Sequence, residues 1–360
     1  MEVLAKSEFE RIVLEDLPLI DVRAPVEFAE GAFPGAINLP LMDDEERRQV
    51  GICYKQKGHD AAVKLGHQLV SGQTRRERTE AWCRQIELRP ETLLYCFRGG
   101  ERSRIAQSWI FEATGKKICR LEGGYKAFRR YLINQLDPAQ LPAKPLVLGG
   151  RTGTGKTLLL NTLEHAVDLE GIARHRGSAF GRLPEGQPTP INFENTLAWA
   201  LVKHRKRAWK SLIVEDEGRN IGRCFLPKPL VEHFAQADLV VLERPLHERV
   251  EIIFDEYILA AQKAYLRVNP HDGILLWKDA LMDSISRIRK RLGGARHQEL
   301  EKMFLDAVES QDPEKHKIWI LWLLREYYDP MYDYQLKHKQ RHLVFKGNEQ
   351  EVREYLSLLK

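Results

Sequence analysis

The stretch PLVLGGRTGTGKTLLLNTLEHA, from Pro145 to Ala166, decides the fold of the second part of this chain. An apolar run typical of a buried strand enters a glycine-rich turn, and a helix is predicted to leave it over KTLLLNTLEHA. The turn, GRTGTGKT, matches G-x-x-x-x-G-K-[ST] at every fixed position, which is the pattern of a phosphate-binding loop (P-loop). The strand before it and the helix after it supply the context that the motif requires.

The chemistry of this loop follows from its backbone. Loop amides and the helix dipole hold phosphate oxygens, Lys156 adds a positive charge, and Thr157 is placed to ligate Mg²⁺ if the reaction uses that ion. The motif predicts that the ligand carries a diphosphate, but it does not indicate which nucleotide base, if any, the ligand carries. The predicted diphosphate-binding residues are Gly150, Arg151, Thr152, Gly153, Thr154, Gly155, Lys156 and Thr157.

Length and composition set the broad class. The 360 residues suit two domains, and 43% apolar with 30% charged residues is typical of a globular protein with packed cores. We find no apolar run of about 18 or more residues, and the acidic, mixed N-terminus is neither a signal nor a transit peptide. We therefore expect a cytoplasmic protein whose five cysteines are reduced thiols, since none has zinc-like spacing. The net charge of +5 permits a nucleic-acid partner without requiring one.

The order of elements predicts an α/β fold in two domains. The proline-rich stretch LDPAQLPAKP indicates a linker at 137–144, between a first domain at 1–136 and a second at 145–360 that is mostly helical from about 245. In the first domain the strands LPLIDVR, TLLYCF and KKICRL alternate with the helices RSRIAQSWIFEAT and YKAFRRYLINQL, which predicts a parallel sheet covered by helices. In the second, SLIVEDE and ADLVVLERP are further candidate buried strands, and an aromatic stripe in HKIWILWLLREYYDPMYDY is interpreted as core.

One predicted strand of the first domain stops at a cysteine, in LLYCFRGGERS. A thiol is a nucleophile only as thiolate, and loop amides with a helix N-terminus stabilise negative charge. Gly99 and Gly100 let the backbone curl, so the sequence predicts an anion cradle around a reactive thiol. The alternative is an inert cysteine buried at a strand end. The predicted catalytic residue is Cys96, and the predicted anion loop comprises Phe97, Arg98, Gly99, Gly100, Glu101, Arg102 and Ser103.

Two flanking segments carry a resemblance to rhodanese-like domains. LIDVRAPVEFAEGAFPGAINLP, from Leu19 to Pro40, resembles their opening signature, and LEGGYKAFRRYL, from Leu121 to Leu132, resembles their closing segment. The resemblance implies that Asp21 and Arg23 form a structural pair in the wall of the active site. It also implies that Cys96 carries a persulfide or its selenium equivalent.

The cysteine loop departs from the sulfur-transferring pattern, in which the arginine stands five residues after the cysteine. Here position 101 is Glu, and Arg102 stands six residues after Cys96. A Cys-x5-Arg loop also resembles that of cysteine-dependent phosphatases, and a longer loop encloses an anion of phosphate size. Two options stay open at this point: a phosphatase, or a transferase whose donor carries a phosphate.

Further polar stretches surround the P-loop in sequence. In SLIVEDEGRNIG, Glu215 or Asp216 could be a carboxylate on the metal side of the phosphates, or a solvated strand end. ARHRGSAFG, and the basic clusters KHRKR and RIRKR, could grip phosphates or an RNA backbone, or be ordinary basic surface. The candidate nucleic-acid contacts drawn from these stretches are Arg174, His175, Arg176, Lys203, Arg205, Lys206, Arg207, Arg287, Arg289, Lys290 and Arg291.

Taken together, YCFRGGERS, LEGGYKAFRRYL, GGRTGTGKT and VEDEGRNIG, in this order, resemble the tRNA 2-selenouridine synthase family over nearly the whole chain, with no quotable motif past about 270. The resemblance implies exchange of the sulfur of wobble 2-thiouridine for selenium from selenophosphate, through an S-geranyl intermediate made with geranyl diphosphate. Cys96 would then serve the selenium step, and the P-loop would hold the diphosphate of the prenyl donor. Whether Cys96 carries selenium covalently or only positions selenophosphate does not follow from the sequence.

The same resemblance sets the expected partners. The anticodon arm of a tRNA is the expected macromolecular substrate, with selenophosphate and geranyl diphosphate as co-substrates. We expect no tightly bound cofactor, no firmly assigned metal and no membrane partner. The sequence leaves the oligomeric state open, with a monomer as the working expectation.

Three rival functions remain from the sequence. The first is a Cys-x5-Arg phosphatase with an accessory nucleotide-binding domain, although position 95 is Tyr rather than the histidine that often precedes such cysteines. The second is a non-catalytic RNA- or nucleotide-binding protein with a relic rhodanese domain. The third is a P-loop kinase, which would turn over ATP in a manner that depends on Lys156.

Overall fold

The structure is a computed structural model, and it describes residues 2–310, 312–338 and 341–360. Packing divides the chain into two compact units. The first comprises Met1–Gln140 and Ile191–Lys206, and the second Leu141–Pro190 and Arg207–Lys360. Parallel sheets with helices in both units confirm the predicted α/β fold class. No helix in the described ranges combines the length and apolar composition that a membrane span requires.

The first unit is built on a parallel sheet. Its strands are β1 (Glu2–Leu4), β2 (Leu19–Asp21), β3 (Ile37–Asn38), β4 (Leu93–Tyr95) and β5 (Cys119–Leu121), in the spatial order β1-β5-β4-β2-β3. Its helices up to residue 134 are α1 (Phe9–Leu14), α2 (Pro25–Glu30), α3 (Asp44–Lys57), α4 (His59–Leu69), α5 (Gly72–Leu88), α6 (Glu101–Thr114) and α7 (Gly124–Asn134). The predicted strands and helices of this domain lie where the sequence analysis expected them.

The central strands β2 and β4 are covered on both faces. Ile20 and Leu94 pack with Trp82 of α5 on one face, and none of these three side chains has exposed area. On the other face, the ring of Tyr95 lies 5.1 Å from that of Phe33. Burial on both faces explains why these strands are near-continuous apolar runs in the sequence. It also places Cys96 directly at the carboxyl edge of the sheet.

The second unit has its own parallel sheet. Its strands are β6 (Lys144–Gly149), β7 (Ser211–Glu215), β10 (Asp238–Leu242) and β11 (Leu343–Gly347), in the order β11-β10-β6-β7, while β8 (Asn220–Ile221) and β9 (Cys224–Phe225) form an antiparallel pair. Its helices are α8 (Lys156–Leu160), α9 (Leu169–Ala173), α11 (Lys228–Ala235), α12 (Leu246–Phe254), α13 (Ala261–Val268), α14 (Gly273–Leu292), α15 (Gly294–Ser310), α16 (Pro313–Leu323), α17 (Asp329–His338) and α18 (Glu349–Ser357), while α10 (Pro190–Lys206), which lies between α9 and α11 in the chain, packs in the first unit. The helical C-terminal part is confirmed, but the sequence analysis missed the strand β11 within it.

The prediction that a helix spans all of KTLLLNTLEHA is wrong, because α8 ends at Leu160. Beyond it, the amides of Thr162 and Leu163 bond to carbonyls three residues back, at 3.0 and 2.9 Å. The Thr162 hydroxyl also donates to the Leu159 carbonyl (2.7 Å). Ala166 then forms a parallel bridge with Ile213 of β7. The chain therefore leaves the helix early because its next residues are recruited to the sheet.

Helix α10 lies in the second half of the sequence but packs in the first unit. The side chain of Asn195 is fully buried there: its amide donates to the Ala32 carbonyl (2.7 Å), and its oxygen accepts from Arg129 (2.9 Å). Farther along the helix, Arg205 donates to the Gln135 side chain (2.6 Å). The domain boundary at 137–144 stays a prediction. The packing assigns α10 to the first unit.

We expect Asn195→Leu to lower the free energy of unfolding of the first unit by about 1–3 kcal/mol, because it removes the partner of the buried Ala32 carbonyl and one of the hydrogen bonds of Arg129, which keeps its ion pair with Glu194. Urea unfolding of the full chain, followed by hydrogen exchange of the amides in β2 and β4, would measure this. The matched control is Lys206→Ala, an exposed residue at the end of the same helix. Equal protection in the two variants would contradict the packing described for α10.

Candidate functional site

The predicted thiol loop lies between the end of β4 and the start of α6. Cys96 is only 3% exposed, and its Sγ lies 3.3 Å from the hydroxyl of Ser103 in the first turn of α6. The Ser103 hydroxyl also contacts the Gly100 carbonyl oxygen, at 3.1 Å. The structure thus brings both ends of the predicted loop together around the sulfur.

The carbonyl groups of this loop accept hydrogen bonds from neighbouring elements. The amides of Tyr125 and Lys126 in α7 donate to the carbonyls of Cys96 (2.8 Å) and Phe97 (2.9 Å). Arg120 donates to the carbonyl of Gly99 (2.5 Å). Within the described ranges, the backbone amides of residues 97–100 have no acceptor in the protein. The loop therefore presents unpaired N–H groups, joined by those of the first helical turn, which is the requirement for binding an anion.

The close approach of α7 depends on glycine. A Cβ atom at Gly124 would lie 2.2 Å from the Cys96 carbonyl oxygen and 2.3 Å from the Gly99 nitrogen, and its φ is +57°. Gly99 has φ +65°, and a Cβ there would lie 2.6 Å from the Leu121 carbonyl oxygen. The two glycines in LEGGYKAF and FRGG thus belong to one packing arrangement that shapes the anion loop.

Arg102, predicted to grip the anion, is engaged elsewhere. Its guanidinium forms a two-point ion pair with Glu27 (2.5 and 3.1 Å), and Arg47 also reaches this carboxylate, at 3.0 Å. Burial acts to raise the pKa of Glu27, but the hydrogen bond and charge of Arg102 outweigh it, and the pKa lies below its usual value. The exposed cation of the loop is Arg98, whose guanidinium lies 5.8 Å from the centre of the Phe97 ring.

The pairing implied for Asp21 and Arg23 is confirmed. Their side chains are buried, and Nη2 of Arg23 lies 2.6 Å from Oδ2 of Asp21. The same guanidinium donates to the Gly31 carbonyl (2.7 Å) and stacks over the ring of Tyr125, 3.8 Å from its centre. The pair therefore links β2 to α7, the helix whose first amides hold the thiol loop.

The P-loop joins β6 to α8 at the carboxyl edge of the second sheet, as predicted. Lys156 Nζ donates to the Gly150 carbonyl (2.9 Å). Two arginines from around α12 hold further carbonyls: Arg249 donates to that of Thr152 (2.8 Å) and Arg244 to that of Thr154 (3.0 Å). In the described ranges, the amides of Arg151, Thr152, Gly153 and Gly155 have no acceptor in the protein. The sequence analysis missed Arg244 and Arg249, which no local motif marks.

A cavity of about 600 Å³ opens beside the P-loop. Its wall next to the loop carries charge of both signs, from Lys156, Arg176, Arg291, Glu170, Asp216, Glu217 and Glu256. A further part of the wall is aromatic and aliphatic, from Ile252, Tyr257, Tyr327, Tyr328, Met331 and Tyr332. The cavity therefore combines the P-loop and charged side chains of both signs with an aromatic and aliphatic surface.

Two π-helical turns supply much of this wall. Asp255–Ala260 follows α12 and carries Glu256 and Tyr257, and Leu324–Tyr328 follows α16 and carries Tyr327 and Tyr328. A π-helical turn is rare and frequently occurs at functional sites. The aromatic stripe that the sequence analysis interpreted as core is indeed largely buried, as Trp319 and Ile320 show, but its end also forms the cavity.

The two acidic candidates, Glu215 and Asp216, lie in different surroundings in the structure. Asp216 lines the cavity and pairs with Arg341, whereas Glu215 is buried behind the P-loop, where it accepts from the Leu169 amide (2.9 Å). The missed carboxylates Glu170 and Glu217 lie in the cavity instead. Burial, and then the negative charge of Glu170, raise the pKa of Glu217 well above its usual value. Among the described residues, no group of three or more His, Cys, Asp or Glu side chains is arranged to hold a metal.

The predicted tRNA contacts fall into three sets. Arg176 and Arg291 line the cavity, and Arg176 lies over the ring of Tyr257 (4.8 Å). A second set serves packing: His175 is buried, Lys203 pairs with Asp16, Arg205 pairs with Glu10, and Arg287 donates to the Ala179 carbonyl. The third set is exposed and consists of Arg174, Lys206, Arg207, Arg289 and Lys290.

Known protein families match both units of the chain. A family model described as the tRNA 2-selenouridine synthase AAA domain matches residues 143–359, and a rhodanese-like domain model matches residues 5–131. One solved structure, an N-terminal domain from Clostridium difficile 630, is 29% identical over 36% of this chain and 98% of that chain. Its TM-score is 0.31.

Curated relatives match the chain from end to end. The tRNA 2-selenouridine synthase of Sulfurovum sp. (strain NBC37-1) is 52% identical, covering 99% of this chain and 98% of its own. The relative from Hydrogenovibrio crunogenus is 52% identical, and the match covers 98% of each chain. The relative from Shewanella sediminis is 48% identical, and the match covers 98% of this chain and 97% of the relative. With matching models over both units and relatives of this identity along its whole length, the chain belongs to the tRNA 2-selenouridine synthase family.

Proposed function

We propose that this chain replaces the sulfur of wobble 2-thiouridine in tRNA by selenium, through an S-geranyl intermediate. The observation that carries the proposal is the cavity beside the P-loop, where a diphosphate cradle meets an aromatic and aliphatic wall. A prenyl diphosphate has this polarity, with a charged end and a hydrocarbon tail. The names of the full-length relatives supply the tRNA and selenium parts of the proposal.

In the first step, the sulfur of 2-thiouridine attacks C1 of geranyl diphosphate. The C–S bond forms, the C1–O bond breaks with its electrons leaving on the diphosphate, and the pyrimidine N3 loses its proton. The free amides of the P-loop and the ammonium group of Lys156 stabilise the charge that develops on the leaving group. Because the pKa of Glu217 is raised, this side chain carries less negative charge beside the diphosphate than an ordinary carboxyl would.

Mg²⁺ stays a prediction for this step. The Thr157 hydroxyl lies 3.3 Å from the carboxylate of Glu170, and hydroxyl and carboxylate oxygens are ligands that Mg²⁺ accepts together with substrate phosphates. In that position the ion would neutralise charge on the diphosphate.

In the second step, selenophosphate bound at the thiol loop delivers selenium to C2 of the alkylated pyrimidine. The C2–Se bond forms and the C2–S bond breaks, with geranyl thiol leaving after it takes a proton. Water then attacks the phosphorus atom, the Se–P bond breaks, and phosphate is released. Alkylation matters because a thiolate leaves C2 more readily than the sulfur of a thiocarbonyl does. The unpaired amides of residues 97–100 and the charge of Arg98 are the groups proposed to hold the phosphate beside Cys96.

The same geometry argues against a phosphatase. A Cys-x5-Arg phosphatase needs its arginine on the bound phosphate, whereas Arg102 is paired with Glu27. The exposed cations Lys206, Arg207, Arg289 and Lys290 are proposed instead to meet tRNA phosphates, which dominate affinity for RNA. The rival functions make distinct predictions, since a kinase would turn over ATP and a phosphatase would hydrolyse an aryl phosphate.

We expect Lys156→Ala to lower the rate of geranylation by about 10²–10³, the usual loss when one group that stabilises a leaving charge is removed. The assay is nucleoside mass spectrometry of an anticodon-arm RNA that bears 2-thiouridine, incubated with geranyl diphosphate and the full chain. Lys228→Ala, an exposed lysine of the same unit, is the matched control. If the Lys156→Ala variant still geranylated the RNA at the wild-type rate, the P-loop would not be the donor site.

Cys96→Ser should abolish 2-selenouridine while S-geranyl-2-thiouridine accumulates, because Cys96 is the predicted catalytic residue of the second step and the first step does not use the thiol loop. The same mass spectrometry, with selenophosphate added, separates the two products. Cys83→Ser provides the control, since this half-buried cysteine of α5 lies outside the loop. Undiminished 2-selenouridine from the Cys96→Ser variant would show that the sulfur takes no part.

A further inference from the structure

An apolar cavity of about 250 Å³ lies in the first unit, between α3, α4 and α6. Its wall is formed mainly by Val50, Ala62, Val63, Ile105 and Trp109. For comparison, an apolar cavity of about 150 Å³ is large enough to bind benzene. A cavity of this size, lined mainly by apolar side chains and partly open to solvent, indicates a site for a hydrocarbon group.

The two helices on one side of this cavity contribute almost nothing to the core. Within the described ranges, α3 (Asp44–Lys57) has no buried residue, and α4 (His59–Leu69) has only Ala62. Their inward apolar side chains, including Val50 and Val63, line the cavity instead and are only half-buried. The pair of helices thus borders a partly open apolar space rather than filling it.

The cavity begins where the thiol loop ends. Glu101 and Arg102, in the first turn of α6, belong both to the predicted anion loop and to the cavity wall, and Ile105 and Trp109 continue the wall along the same helix. From Glu101 to Trp109 the helix rises by about 12 Å. A substrate that reacts at the loop can therefore place an apolar substituent along α6 without leaving the reaction site.

We propose that this cavity receives the geranyl chain of the S-geranyl nucleoside during the selenium step, as the site of the leaving group. The inference rests on the proposed function and adds a second prenyl site to it, distinct from the donor site beside the P-loop. Holding the chain here places the C2–S bond at the mouth of the thiol loop. Each methylene buried contributes roughly fourfold in affinity, so the cavity selects long alkyl groups over short ones.

The experiment compares two anticodon-arm RNAs, one with S-geranyl- and one with S-methyl-2-thiouridine, in selenophosphate-dependent conversion by the full chain. Wild type should favour the S-geranyl RNA by at least about tenfold in kcat/KM. Val63→Trp, which fills the cavity from α4, should lower kcat/KM for the S-geranyl RNA by about tenfold or more and leave the S-methyl RNA within about twofold. Val50→Phe, which fills it from α3, should act in the same direction.

Leu88→Trp is the matched control, because it adds an indole at an exposed position, 71% accessible, at the end of α5 in the same unit. It should leave both RNAs unchanged. Equal losses for the two RNAs in both cavity variants, or no loss, would overturn the cavity assignment while leaving the proposed function intact. Failure of wild type to convert the S-geranyl RNA at all would overturn the proposed function itself.

Discussion

Backbone amides can hold an anion only where the chain leaves them unpaired, and this constraint shapes both units. At the end of β4, two amides of α7 and the side chain of Arg120 occupy the carbonyls of the thiol loop. At the end of β6, Arg244 and Arg249 do the same for the P-loop. In each case the carbonyls are bound to the protein, and the N–H groups of the loop remain for a ligand. The carboxyl ends of parallel strands are the usual place for such sites, because the chain there turns from strand to helix.

Arginine has opposite roles in this arrangement. Arg244 and Arg249 are needed for the shape of the P-loop, and Arg249 is itself held by an ion pair with Asp329 (2.6 Å). Arg102 stands in the anion loop but is neutralised by Glu27. A guanidinium that is already paired with a carboxylate positions its neighbours and offers little attraction to a further anion. Arg98 and Arg176 are the guanidinium groups of the two sites that lie against aromatic rings instead.

Apolar space accompanies each anion site. The P-loop cavity continues into a wall built by two π-helical turns, and the thiol loop continues along α6 into the cavity under α3 and α4. An anion site alone would fit any phosphate compound. The combination of anion site and hydrocarbon surface narrows the fit to ligands that carry both, and this is the physical basis for proposing prenyl chemistry at both places.

The sequence by itself determined the local features: the strand–loop–helix around Gly150–Thr157, the cysteine at the end of β4 and the α/β class, while the resemblance to rhodanese-like domains supplied the Asp21–Arg23 pair. Each depends on residues close together in the chain, where a motif or a periodic pattern carries the information. The tertiary structure alone decided that α10 packs in the first unit, that α8 stops at Leu160, and that β11 joins the second sheet. It also decided which charges are already paired. Such contacts join residues far apart in sequence, and a single sequence shows which side chains can pair but not which of them the fold brings within reach.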